Sequence, residues 1–340
     1  MKRSLLALVL VLLTATLHAA PPELASIKAP GLSVAVSVDG KIVMSEGVGF
    51  ADLEQQSPAR PTTRYRLGSV SKLFTAAIAT RLAARGALDL DAPIQRYLPS
   101  YPHAVTARQL LGHLGGVRHY LNSDPIFAGR KYKTLEEGLS IFANDPLVAP
   151  PGTTYHYTSY GYNLLGVVLE KAGGKPFADL LADEVTKPLK LESVVLDDNA
   201  TIVPGRASFY DRAKEDAPVR NAAENDSSYK WPSGGLVASA EDLVRFSHAW
   251  LQPGYLPQPI LTATFTPQLL ADGKATNVGL GWRINKTDDG LTYYHHGGTI
   301  TGGRAFVLVI PEKKVAVAIL TNMLVRYDEK EALAIARRYL

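Results

Sequence analysis

Ser69 and Lys72 head a stretch, Arg66 to Ala84, whose residue types suit acyl transfer. Three residues apart on a helix, they share a face and can touch. The first turn of a helix also leaves backbone N–H groups without an intrahelical acceptor. A serine hydroxyl, an amine whose pKa falls on burial and a free N–H are the parts of a nucleophilic site. The amine takes the hydroxyl proton, and the N–H helps hold the oxyanion. Lys72 also carries the wrong charge for a helix N-terminus, where the dipole favours anions.

The element that must position this pair is the run from Leu73 to Ala84, in which nine of twelve residues are apolar. A helix apolar on every side belongs inside a domain, and Gly86 is the expected stop. The S-x-x-K pattern alone is cheap, with about one chance match in a chain this long. A second copy, Ser227 to Lys230, is followed by Trp231-Pro232-Ser233-Gly234-Gly235. Pro and two Gly argue against a helix there, so this copy is set aside.

Residues 1–20 read as a secretory signal peptide. Lys2 and Arg3 precede an apolar run, Leu5 to Leu13, too short to span a bilayer, and small residues follow. The expected location is therefore periplasmic or secreted, without a stable membrane anchor. With 0 Cys, the fold needs no disulfides. Removing the leader lowers Lys+Arg from 36 to 34 against 32 Asp+Glu, a balance that gives no argument for nucleic acid. Neither G-x-S-x-G nor a P-loop pattern is present. His295-His296 lacks the further ligands of a metal site, and no cofactor is implied.

Gly31–Val38 alternates cleanly, and Asp39-Gly40 turns it into a second strand, 41–46. Helices are expected over 106–114, 135–144 and 160–172, the last closed by Gly173-Gly174. Another starts at Ser239 and runs to Leu251. Strands resume over 279–286, 291–295, 304–310 and 315–320, before a last helix over 328–339. The fold class is α+β. One antiparallel sheet from both chain ends is flanked by helices. The sheet subdomain covers about 21–90 and 230–340, and a mainly helical subdomain, about 91–229, is inserted.

Further patches are P-G-T-T-Y-H-Y-T-S from Pro151, L-L-G-H-L-G-G-V from Leu110, G-G-L-V-A-S-A-E-D-L from Gly234 and H-H-G-G from His295, which is placed at a strand end. Of these, His113 is expected to make a structural hydrogen bond. With S-V-S-K they follow the order of the serine β-lactamase-like family of penicillin-binding DD-peptidases, class C β-lactamases and related hydrolases. The chain resembles that family over nearly all its length. G-V-R-H-Y at 116–120 and the Y-T-S-Y-G-Y run look nearest the subgroup of the mitochondrial β-lactamase-like serine protease.

The resemblance implies a β-lactamase/transpeptidase-like fold and a set of roles. Ser69 is the acylated nucleophile, Lys72 its base and Tyr157 the proton relay. The N–H groups of Ser69 and Gly298 form the oxyanion hole, and His295 stands at the Lys/His of the strand motif. Ser159 replaces that family's Asn, and His296 its Thr; both are substrate-binding positions, as is Arg304, a candidate guanidinium near the cleft. With two largely neutral imidazoles, a modest preference for substrate carboxylates is expected, strengthening as pH falls toward about 6.5. The reading is an exported serine hydrolase acting on small acyl, peptide or ester substrates, a peptidase or esterase rather than a true β-lactamase. The alternative is a penicillin-recognising sensor that acylates slowly or not at all.

Overall fold

The computed structural model describes residues 21–125, 130–214 and 216–340; the leader, 1–20, lies outside them. Seven strands form one antiparallel sheet. They are β1 (Gly31–Val38), β2 (Lys41–Asp52), β3 (Ser57–Pro58), β4 (Arg283–Lys286), β5 (Thr292–Ile300), β6 (Gly303–Ile310) and β7 (Val315–Thr321). Their order is β3-β2-β1-β7-β6-β5-β4, so the two chain ends meet where β1 pairs with β7. Every residue of β7 is buried, as suits a central strand rich in Val, Ala and Ile.

Both faces of the sheet are covered. On one face, Val34, Phe306, Leu308 and Val317 pack with Ile335 of a C-terminal helix, α4 (Glu329–Ala336). On the other, Ala35, Ala305, Val307 and Ala318 share a core with three helices. These are α1 (Ser71–Ala84), α2 (Ser159–Gly173) and α3 (Ala240–Ala249). Helix α1 is buried continuously from Ser71 to Thr80, as its all-round apolar composition requires. Ser239 caps α3 by accepting from the N–H of Asp242, and Gly174, in the left-handed region, ends α2.

Several expected elements differ. β2 runs on to Asp52, because beyond Glu46 it still pairs with β1 and then with β3. The strand expected over 279–286 begins only at Arg283. The His295-His296-Gly297-Gly298 segment is not a strand end, since β5 continues through it to Ile300 in register with β6. The middle region carries short strands as well as helices, and Val195–Leu196 pairs with Leu236–Ala238, which in turn pairs with Tyr65–Arg66. Trp231–Gly234 forms one helical turn. Pro232 is tolerated at its start because the first N–H groups of a helix need no intrahelical acceptor.

The site depends on how closely β5 approaches the 3₁₀ turn Gly68–Val70 that leads into α1. A Cβ on Gly298 would lie 1.9 Å from the Leu67 carbonyl oxygen, and one on Gly68, at φ +49°, would lie 2.8 Å from the Thr299 nitrogen. Both obstacles are backbone, so neither can move aside cheaply. Gly298→Ala is therefore expected to destabilise the fold by about 1–3 kcal/mol and to slow acylation of Ser69 by pushing strand and turn apart. Denaturant melts and active-site labelling check this; parental values in both would remove the close-approach argument.

Candidate active site

Three separate segments converge on the Lys72 amine. It lies 3.0 Å from Ser69 Oγ, 3.1 Å from Ser159 Oγ and 2.7 Å from the Ser233 carbonyl oxygen. The Tyr157 hydroxyl donates to Ser69 Oγ from the other side, at 2.8 Å. Ser69 is partly exposed in a cleft of about 940 Å³, whereas Lys72 has 0% exposure. Burial, reinforced by the positive charge of Arg283, holds the Lys72 amine well below the ordinary lysine value. Burial raises the Tyr157 phenol above its ordinary value, against the opposing influence of Ser69 and Arg283.

These directions favour an amine that gives up its proton readily and a phenol that keeps its own. A neutral amine has two N–H donors and one lone pair. Its donors match Ser233 O and Ser159 Oγ, which leaves the lone pair to accept from the Ser69 hydroxyl. The Ser69 oxygen then accepts from the un-ionised Tyr157 phenol. Ser71, by contrast, is turned away: its Oγ is fully buried and accepts from the N–H of Leu236.

Thr158 caps α2 by accepting from the N–H of Gly161, and so sets Ser159 in the first turn and Tyr157 just before it. The Tyr157 ring rests against His113, with centroids 4.4 Å apart. His113 makes the structural hydrogen bond expected of it, with Nδ1 accepting from the N–H of Thr158.

The two adjacent histidines point to opposite faces of β5, as strand alternation requires. His295 packs beside Tyr293 and Phe306, on the α4 side of the sheet. His296 faces Tyr157, with ring centroids 6.4 Å apart, and its Nδ1 donates to the Gly297 carbonyl, leaving Nε2 as an acceptor. The motif position expected for His295 is thus occupied by His296. Burial and nearby Arg283 lower the His295 pKa to about 4, and burial, with Arg283 again, holds His296 well below the ordinary value. Neither imidazole carries charge near pH 7, so the expected gain in carboxylate preference toward pH 6.5 has no group to carry it.

The ladder phase likewise shifts the strand's outward N–H. The pair Ile300–Gly303 flanks a two-residue turn, and such a hairpin closes on a hydrogen-bonded pair. Gly298–Ala305 then falls in the bonded set, and Gly297 and Thr299 turn their N–H groups outward. Thr299 is the residue whose nitrogen lies against Gly68. Gly298 contributes by its missing side chain.

Arg304 lines the cleft but is engaged, with Nε donating to the Tyr327 carbonyl at 2.6 Å and Nη1 to Thr299 Oγ1 at 3.0 Å. The cation that sequence reasoning missed is Arg283, centred 5.6 Å from the Tyr157 ring. No carboxylate among the described residues is within ion-pair distance of it. It belongs to no motif; its only sequence signal is its place on a short strand that pairs with His295. The second S-x-x-K copy is no dyad, for Lys230 Nζ and Ser227 Oγ both bind Asn225 rather than each other.

A beta-lactamase family model matches residues 19–340. The chain belongs to the beta-lactamase family. It is 29% identical to the human mitochondrial serine beta-lactamase-like protein LACTB, over 84% of this chain and 69% of that protein. Among solved structures, it matches an octameric penicillin-binding protein homologue from Pyrococcus abyssi with a TM-score of 0.78 and 24% identity, over 93% of this chain and 75% of the other. It matches a D-stereospecific amidohydrolase from a Streptomyces species with a TM-score of 0.76 and 24% identity, over 90% and 93%. The fold is the β-lactamase/transpeptidase one, and the family is one of serine hydrolases.

If the Tyr157 hydroxyl moves protons, Tyr157→Phe keeps the ring on His113 but lowers turnover of a test ester about 10²–10⁴-fold. Near-parental turnover would reduce Tyr157 to a packing residue. Lys72→Arg, which replaces the amine by a group that does not deprotonate, is expected to abolish acylation of Ser69, as read by mass spectrometry of the labelled peptide.

Proposed function

We propose that this chain is an exported serine peptidase or esterase that works through an acyl-enzyme on Ser69 and favours leaving groups bearing a free carboxylate. The observation that carries the acyl-enzyme is the Ser69 hydroxyl held between the buried Lys72 amine at 3.0 Å and the Tyr157 phenol at 2.8 Å. The leader-like run from Leu5 to Leu13 supports export.

In this mechanism the Ser69 proton passes to Lys72 Nζ as Oγ bonds to the substrate carbonyl carbon. The negative charge gathers on the carbonyl oxygen, where the N–H groups of Ser69 and Thr299 stabilise it. Tyr157 gives its proton to the departing nitrogen or oxygen as that bond breaks, and the Lys72 ammonium re-protonates the phenolate. Water then repeats the cycle on the acyl-enzyme. It loses one proton to the relay, releases the acid and restores the Ser69 hydroxyl.

Arg283 beside Tyr157 supports the leaving-group preference, because a guanidinium without an ion-pair partner stands where the departing group is protonated. Ser159, whose hydroxyl is committed to Lys72, offers no amide of the kind the family's Asn supplies, which favours small peptides and esters over β-lactams.

Two measurements test this reading. A fluorophosphonate should label Ser69, and a labelled penicillin, if it reacts, should be lost by turnover; a stable penicilloyl adduct with no hydrolysis of peptides or esters would make the protein a sensor. For matched substrates, one with a free carboxylate and one with its methyl ester, kcat/KM should favour the acid by the same factor across pH 5.5–8, a range spanning the free imidazole value. Arg283→Gln should erase that preference. A preference that grows as pH falls would return the role to a histidine.

A further inference from the structure

The second S-x-x-K copy, though no nucleophile, ends in the same cleft. Lys230 is only 8% exposed, yet it lines the cavity with Gly68, Ser69, Asn225 and Thr301. An ammonium has three N–H donors, and the side-chain hydrogen bond that Lys230 makes runs 2.8 Å to Asn225 Oδ1. No carboxylate of the described residues is within ion-pair distance of it. The acids nearby are occupied: Asp197 by Arg66 at 2.7 Å and Arg206 at 3.5 Å, and Asp226 by the N–H and hydroxyl of Ser228. Glu224, also in the wall, accepts from Asn199. Burial, then the positive charge of Arg66, lowers the Lys230 amine to about 8, so it is mainly charged at neutral pH. A desolvated cation with donors to spare is costly until an anion meets it.

Its place relative to Arg283 decides which part of a substrate it would meet. Arg283 acts on Tyr155, Tyr157, His113 and His296, on the wall of the leaving-group acid. Lys230 feels Arg66, Asp197, Asp226 and Lys72, and it adjoins the Trp231–Gly234 turn that packs Gly234 against Gly68. The two cations therefore sit among different neighbours of the same cleft, Arg283 beside Tyr157 and Lys230 beside Asn225 and the Trp231–Gly234 turn.

We propose that Lys230 is the reading group of an anion subsite that takes a carboxylate on the acyl half of the substrate. The substrate class is then a peptide with an acidic residue on the acyl side of the scissile bond and a free carboxylate on the leaving side. This rests on the acyl-transfer reading of Ser69. The segment from Ala223 to Asp226 forms the outer wall of the subsite, and Asn225 holds the amine in place.

Binding to Ser69→Ala protein tests the proposal without turnover. The probes are N-acetyl-glutamyl-alanine and N-acetyl-glutaminyl-alanine, each as its four stereoisomers, titrated by calorimetry. For the tightest stereoisomer, the glutamyl peptide should bind about tenfold more tightly than the glutaminyl one, as expected for a charge-assisted hydrogen bond. Adding Lys230→Met should bring the two within about twofold, by weakening the glutamyl peptide more than the glutaminyl one. Lys230→Gln, which retains a donor toward Asn225, guards against loss of fold and should behave the same way. Equal affinities in the Lys230 protein, a difference that survives both substitutions, or no binding of either peptide would overturn the subsite. Fluorophosphonate labelling of the parent reports separately on whether Ser69 is a nucleophile, so the two failures are distinguishable.

Discussion

An amine removed from water governs this structure. Lys72 is fully buried in the first turn of a buried helix, and its three polar neighbours are uncharged oxygens. A charged ammonium there would forfeit several kcal/mol of hydration without a counter-ion to offset it. The cheaper solution is to release the proton, and that same solution creates a base beside Ser69. The rest of the architecture serves this contact. The Trp231–Gly234 turn brings the Ser233 carbonyl, the capped start of α2 brings Ser159 and Tyr157, and β5 closes on the Gly68–Val70 turn from the far side.

Charge in the cleft follows from the same choice. With burial stripping away water and Arg283 close by without a carboxylate partner, the imidazoles of His113, His119 and His296 are held neutral. His119 is lowered to about 4, mainly by burial, and its Nδ1 accepts from the N–H of Ser159. His113 and His296 shift the same way. The histidines act as hydrogen-bonding and packing groups, and positive charge at neutral pH is left to Arg283 and Lys230. A cleft built this way discriminates by charge without depending on imidazole protonation.

Ser69, Lys72 and Tyr157 could be singled out because each sits at a fixed place in a short motif, and the sheet was legible because β1, β6 and β7 alternate or run apolar without interruption. What the sequence left open was orientation. Two neighbouring histidines on a strand are equivalent on paper, and only the register of β5 with β6 shows that His296 faces Tyr157 while His295 faces away. The same one-residue parity moves the outward N–H from Gly298 to Thr299. Arg283 and Lys230 carry no motif, and their importance comes from the neighbours the folded chain gives them. Arg304 shows the converse: it lines the cleft, but its donors are spent on Tyr327 and Thr299.

The account stands on the protonation state of a single nitrogen. In protein labelled with ¹⁵N at lysine Nζ, the resonance that vanishes in Lys72→Gln reports that state directly. The account predicts a neutral amine signal for Lys72 at pH 7, with protonation only as the solution is made more acidic, while surface lysines remain ammonium. A Lys72 resonance that is still ammonium at pH 7, titrating near the ordinary lysine value of about 10.4, would contradict it.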